Sequence, residues 1–163
     1  IFSPELAGGA LLDIGVYTLN FAAMAFGTDI KETHSACQKL ETGVDAQENI
    51  TLFYNDGKMA ALQATAFSVT DRYGVISGDN GYLMVENINN PECIKVFDKS
   101  YKMIAEYKAP EQITGFEYQV MASIEAIENG WLESPFMPHK ETVRIMEQMD
   151  ALRKEWGVVY PWD

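Results

Sequence analysis

Hydrophobic and polar positions divide the chain into three stretches. Residues 8–26, GGALLDIGVYTLNFAAMAF, are almost continuously apolar. At about 100° per residue, Leu12, Val16, Leu19 and Ala23 share one narrow stripe, and Leu11, Ile14, Phe21, Ala22 and Ala25 fill most of the remaining circumference. A helix apolar nearly all round is a buried one. Residues 30–108 carry strand signals punctuated by turns, and residues 114–156 return to helical spacing.

Within the middle stretch, FYNDGKMA sets Asn55, Asp56 and Gly57 between two β-rich runs, which predicts a hairpin. ISGDNGYLMVEN repeats the device between Gly78 and Gly81. Tyr101, Met103, Ala105 and Tyr107 alternate with Lys102, Ile104, Glu106 and Lys108, as in a strand with two unlike faces. About six strands joined by short turns imply a largely antiparallel or mixed sheet.

Two further helices follow. Thr114 and Glu117 fit a capping box, Phe116, Val120, Ile124 and Ile127 make an apolar stripe, and Gly130 suits the C-terminal cap. The last helix starts near Pro138 and runs to Trp156, with Gly157 as its stop and an inward stripe of Val143, Met146, Met149 or Asp150, and Arg153. Helix, strand meander and helices together describe one α+β domain over residues 1–163: an open sheet of about six strands, with helices on one face and the other face free for a partner.

Charge narrows the partners. Acidic residues outnumber basic ones 24 to 12, a formal net charge of −12, so the chain repels nucleic-acid phosphates and anionic membrane surfaces. No run reaches the roughly eighteen apolar residues that span a bilayer. Cys37 and Cys93 stand apart, with no CxxC and no histidine at ligand spacing, and read as small buried hydrophobes in a reducing, cytoplasmic setting. The chain opens on IFSPELAGG, without an initiator Met or basic segment, as a piece of a longer protein would.

Candidate chemistry concentrates on the first helix. Asp13, Tyr17 and Asn20, at i, i+4 and i+7, form its only polar line. A carboxylate buried there without a partner costs several kcal/mol, and no cation lies at helical spacing. One reading makes Asp13 an anion favoured by the helix dipole and Tyr17 a satisfied core tyrosine. The other makes them an acid/base pair at a cleft wall. A phenol ordinarily titrates near 10, so proton transfer at neutral pH then needs a lysine from outside the chain. Other candidates are weaker. Gly74, Gly78 and Gly81 fall in a hairpin rather than between strand and helix, so they form no dinucleotide fingerprint. His34 and His139 are far apart and without carboxylates at ligand spacing, so no metal site is expected. Asp150 and Arg153 read as a surface ion pair worth under about 1 kcal/mol.

LAGGALLDIGVY at 6–17 resembles the start of the C-terminal domain of the Gfo/Idh/MocA oxidoreductases, with Asp13, Gly15 and Tyr17 on its motif. The likeness continues through VISGDNGYLMVEN at 75–87 and the stretch from Gly115 to Pro161, and is strongest to the dihydrodiol and xylose dehydrogenase branch. The resemblance implies a dihydrodipicolinate-reductase-like C-terminal domain that binds substrate and mediates homo-oligomers through its open sheet face. It also implies a separate N-terminal Rossmann domain that binds NADP or NAD and supplies a lysine from an E-K-P motif absent here. Carried over, Asp13 positions a sugar, polyol or diol substrate and Tyr17 transfers the proton, while Asn20 is a possible further substrate contact. This chain alone is then catalytically silent. The competing expectation is a ligand-sensing regulator on the same fold, against which the retained Asp13 and Tyr17 argue.

Overall fold

The computed structural model describes all 163 residues. They form two compact units, Ile1–Thr70 with Ile145–Asp163, and Asp71–Arg144. The architecture is α+β.

In the first unit, β1 (Ile30–Lys39), β2 (Asp45–Tyr54) and β3 (Met59–Thr65) pair antiparallel in that order. The predicted turn at Asn55–Gly57 joins β2 to β3, with the Gly57 amide donating to the Tyr54 carbonyl at 3.1 Å. Alternation along β2 sends Glu48, Ile50, Leu52 and Tyr54 to a buried face. Leu11, Leu19 and Ala22 pack on that face from the first helical stretch, as do Ile145, Met149 and Leu152 from α3 (His139–Trp156). The opposite face, with His34, Asn49, Gln63 and Met59, is exposed. Helices on one side and an open face on the other match the expected layering of this sheet.

The second unit holds β4 (Gly74–Gly78), β5 (Gly81–Glu86), β6 (Cys93–Asp98) and β7 (Met103–Lys108), an antiparallel meander in chain order. Tyr82 and Phe97 stack across it at 4.7 Å. α2 (Glu117–Glu128) begins at the expected box: Glu117 accepts from the Ile113 amide at 2.5 Å and from the Thr114 hydroxyl at 2.8 Å. Hydrogen bonds from its own amide and from Ile113 hold the Glu117 carboxyl down at about 2.

Several expectations need correction. The strands number seven, in two separate sheets rather than one sheet of about six, and no pair is parallel. Residues 66–73 carry no ladder between β3 and β4, and turn signals cannot say whether flanking strands stay paired. Tyr101 lies in the β6–β7 turn at φ 61°, not in the strand. The apolar row of α2 faces solvent: Phe116, Val120, Ile124 and Ile127 are all exposed, and only Ala126 is buried. On α3 the buried row is Ile145, Met149, Leu152 and Arg153, while Val143 and Met146 are exposed. Pro4–Phe26 does have the length and mean hydropathy, 1.4, of a bilayer span, although Leu11, Leu19 and Ala22 within it belong to the core.

Arg153 is no surface ion pair. It is buried, donates to Asp150 at 2.7 Å and Asp163 at 2.9 Å, and lies 4.4 Å over the Tyr160 ring. Tyr160 in turn donates its hydroxyl to the Gly8 carbonyl at 2.6 Å. The C-terminal segment is thereby tied to the chain just before the first helix.

Two carboxylates also lie in this interior. Asp45 and Glu48 are 1% and 2% exposed. Asp45 Oδ2 accepts the Leu11 amide at 2.6 Å, whereas Asp45 Oδ1 and both Glu48 oxygens have no hydrogen-bond partner. Burial, reinforced by the Asp45 charge, pushes the Glu48 carboxyl up to about 8.

Two outcomes follow for stability. Arg153→Ala removes the cation from Asp163 and the ring contact to Tyr160, and should lower the unfolding free energy by about 2–3 kcal/mol in urea titration; a loss within about 0.5 kcal/mol would mean the cluster is incidental. Glu48 is neutral in the fold up to about 8 but ionises in the unfolded chain near 4.5, so its contribution is complete at acid pH and fades as pH rises between those values. The pH 5 to pH 9 loss of stability should therefore be several kcal/mol larger, roughly 3–5, in the native chain than in Glu48→Gln. Equal losses in the two proteins would contradict this.

Candidate active site

The first helix begins with a break in regular geometry. Residues Leu11–Gly15 form a π-turn, in which the Val16 amide donates to the Leu11 carbonyl, and α1 (Val16–Phe26) continues from it. A π-bulge of this kind commonly marks a functional position. Asp45, 34 residues away on β2, caps the orphan Leu11 amide and sets a negative charge at the positive end of the helix.

Two glycines lie against buried carboxyl groups here. Gly9 has φ 127°, and a Cβ on it would lie 2.3 Å from Asp45 Oδ1. A Cβ on Gly15 would lie 2.8 Å from Glu48 Oε1 and 3.0 Å from the Leu11 side chain. The two carboxylates thus fit directly against the glycines of the motif.

The buried stripe is Leu11, Gly15, Leu19 and Ala22, displaced from the Leu12, Val16, Leu19 and Ala23 stripe that regular 100° spacing predicts. Both rows have ordinary helical spacing, so the offset reflects which side of the helix meets the sheet. Burial is also one-sided. Asp13 is exposed, Tyr17 is 44% exposed and Met24 is 86% exposed, so the expectation of a wholly buried helix is overturned. Asp13 is not a desolvated carboxylate in search of a partner, and Tyr17 is not a core tyrosine. Apolar residues on every side of a helix do not bury it when only one side has a sheet to meet.

Asp13 and Tyr17 therefore stand one turn apart on the open side of a helix anchored from below, neither engaged in a hydrogen bond or ion pair. Asn20, a turn further, is half-buried, and its Nδ2 donates to the Val16 carbonyl at 2.8 Å, which leaves its carboxamide oxygen for other contacts. A carboxylate, a phenol and an amide oxygen in a row can accept and exchange protons with a hydroxylated molecule.

No other predicted residue joins this line. His34 pairs with Glu32 at 2.7 Å on exposed β1, and the exposed His139 lies 3.5 Å from Glu133 at the start of α3. No group of three or more metal-ligating side chains exists. Cys37 is half-buried and unpaired, and Cys93 is buried, with its thiol 3.4 Å from Glu106 and pushed up by burial. Gly78 pairs with Gly81 inside the β4–β5 hairpin, so these glycines cradle no nucleotide. What reading the sequence missed is Asp45 and Glu48. The parity of β2 held a signal for Glu48, since it alternates with Ile50, Leu52 and Tyr54.

Comparison with known proteins identifies the family. The family model described as the GFO/IDH/MocA C-terminal domain matches residues 1–84. A scyllo-inositol 2-dehydrogenase (NADP(+)) of Bacillus subtilis is 28% identical over 99% of this chain and 48% of its own length. A trans-1,2-dihydrobenzene-1,2-diol dehydrogenase of Xenopus tropicalis is 31% identical over 96% of this chain and 49% of its own length. The chain thus spans about half the length of the curated relatives it matches. Among solved structures, a 3-ketoreductase from Actinomadura kijaniata in complex with NADP and TDP-benzene superposes with a TM-score of 0.78, at 21% identity over 94% of this chain and 48% of that one. An aldose-aldose oxidoreductase from Caulobacter crescentus complexed with glycerol gives 0.75, at 19% identity over 90% and 45%. These relatives are named as enzymes, none as a regulator. The chain is a member of the GFO/IDH/MocA family and carries its C-terminal domain.

Proposed function

We propose that this chain is the substrate-binding domain of an NAD(P)-dependent oxidoreductase acting on a sugar, polyol or diol hydroxyl. The observation that carries the reading is the exposed Asp13–Tyr17 line, on a helix whose other side is locked to the sheet. The relatives' names point to the same substrate class, inositol and a vicinal diol.

A nicotinamide nucleotide, once bound, would supply the hydride donor or acceptor. The residues of this chain suit the reacting end of such a site and not its phosphate end, since no glycine-rich turn here joins a strand to a helix. The nucleotide is accordingly assigned to an N-terminal Rossmann domain outside these 163 residues.

Tyr17 is the group placed to take the proton from the reacting hydroxyl in oxidation and return it in reduction. Asp13 accepts a hydrogen bond from that or a neighbouring hydroxyl and fixes the substrate's orientation, and the Asn20 carboxamide oxygen extends the row. A lysine from the nucleotide domain would favour the phenolate and pair with Asp13, a role for which this helix has no cation. The exposed polar face of the β1–β3 sheet is the surface we assign to self-association, and the two unpaired cysteines agree with a cytoplasmic setting.

In the full-length enzyme, Tyr17→Phe should reduce kcat by about 10²–10⁴-fold, with nucleotide affinity and melting temperature unchanged. A variant that retains its rate but melts earlier would make Tyr17 structural and defeat the assignment. Sedimentation of the full-length protein should give a mass above the monomer; a monomer at high concentration would remove the self-association surface.

A further inference from the structure

The reaction as proposed leaves Glu48 unused, and its surroundings give it a task. The side chain is 2% exposed, on the core face of β2 between Cys37 on β1 and Ala64 on β3. Gly15 lies directly against it, close enough that a Cβ there would sit 2.8 Å from Oε1. Gly15 closes the π-turn, and Asp13 and Tyr17 lie two residues to either side of it.

Neither Glu48 oxygen has a hydrogen-bond partner. No cation meets it: the neighbouring ionisable groups are Asp45 on β2 and Cys37 on β1, with Lys39 near Cys37 and engaged on the Trp156 and Gly157 carbonyls. Asp45 in turn neighbours Tyr160, whose ring is covered by Arg153 of α3. The π-turn contributes no charge from above, because Asp13 is exposed. A carboxyl so enclosed fits the space beneath Gly15 as a neutral acid, and as an anion it would need a hydrogen-bond donor or cation that no protein group here supplies.

We propose that Glu48 is a positioning residue for the Asp13–Tyr17 line: its uncharged carboxyl, seated against Gly15, holds the π-turn in the register that presents both side chains, and loss of its proton to solvent unseats that turn. The proposal rests on the reading of Asp13 and Tyr17 as the reacting line, but its structural half can be tested without turnover.

The test is a carboxyl and amide NMR titration of this chain between about pH 5 and pH 10. The Glu48 carboxyl carbon should titrate near 8. The Gly15 amide and the Tyr17 ring should shift with the same midpoint, and in Glu48→Gln both steps should vanish, leaving the acid-side spectrum at every pH. Glu48 titrating in the ordinary carboxylate range, Gly15 and Tyr17 signals indifferent to its titration, or steps that survive in Glu48→Gln would each overturn the proposal. Should Glu48→Gln fail to fold, the coincidence of midpoints in the native chain decides alone.

In the full-length enzyme, kcat at pH 9 should be about tenfold below its neutral value, as a group titrating near 8 requires, and Glu48→Gln should restore it with KM unchanged. A merely structural Glu48 would lower stability in the variant and leave the pH profile of kcat alone. If the NMR coupling holds and Tyr17→Phe keeps its rate, the positioning stands and the catalytic reading fails.

Discussion

The structure depends on one unusual burial: β2 places two carboxyl groups, Asp45 and Glu48, in the buried layer between sheet and helix. Such groups cost several kcal/mol unless the layer is shaped for them. Asp45 is accommodated by the free Leu11 amide and the helix dipole, and by the missing side chain of Gly9. Glu48 is accommodated by the missing side chain of Gly15 and by its own proton. Each compensation fixes the backbone of the first helical stretch at a particular point. Asp13 sits between those points and Tyr17 just beyond, so the outward direction of the line follows from what is buried beneath it. The same interior reaches the chain's end through Tyr160, which bonds to Gly8 and is covered by Arg153.

Much of the local structure was legible in the sequence, because it rests on local chemistry. Asn55, Asp56 and Gly57 turn where they should, Glu117 reaches back to the amides before α2, and Gly130 and Gly157 end their helices with positive φ. The Asp13–Tyr17 line was legible too, as the only polar row on an apolar helix. Illegible was everything decided by which surface meets which. α3 carries two interleaved apolar rows, one through Val143 and Met146 and one through Ile145 and Leu152, and spacing alone cannot say which faces the sheet. The division into two sheets is of the same kind, since a meander reads identically whether or not β3 and β4 share a ladder.

An apolar circumference suggested burial, and burial suggested that Asp13 lacked a partner. In fact Met24 and Tyr17 are exposed while the buried, unpartnered carboxyl is Glu48, on the strand below. The electrostatic tension the sequence implied is real but belongs to a different residue. A carboxylate among leucines is conspicuous on the helix, whereas one in the alternating Glu48, Ile50, Leu52 series looks like an ordinary strand position. Parity along β2 separates the two.

An exposed phenol beside an exposed carboxylate is a poor catalyst as it stands. Water competes for both, and Coulomb interactions across them are weakened by the solvent dielectric. The chemistry proposed for Tyr17 therefore requires two things the line itself does not have, a nearby cation and the exclusion of water, and both must come with whatever covers it. What this chain contributes is placement. Preorganisation is most effective when the supporting groups are rigid and lie outside the reacting volume, so that they hold geometry without competing for the substrate. Glu48 and Asp45 meet that description: they are fully buried, on a central strand, and act on the helix backbone rather than on the reacting side chains. A neutral acid also suits that position better than an anion would, because no hydrogen-bond donor or cation of the protein meets the Glu48 oxygens there.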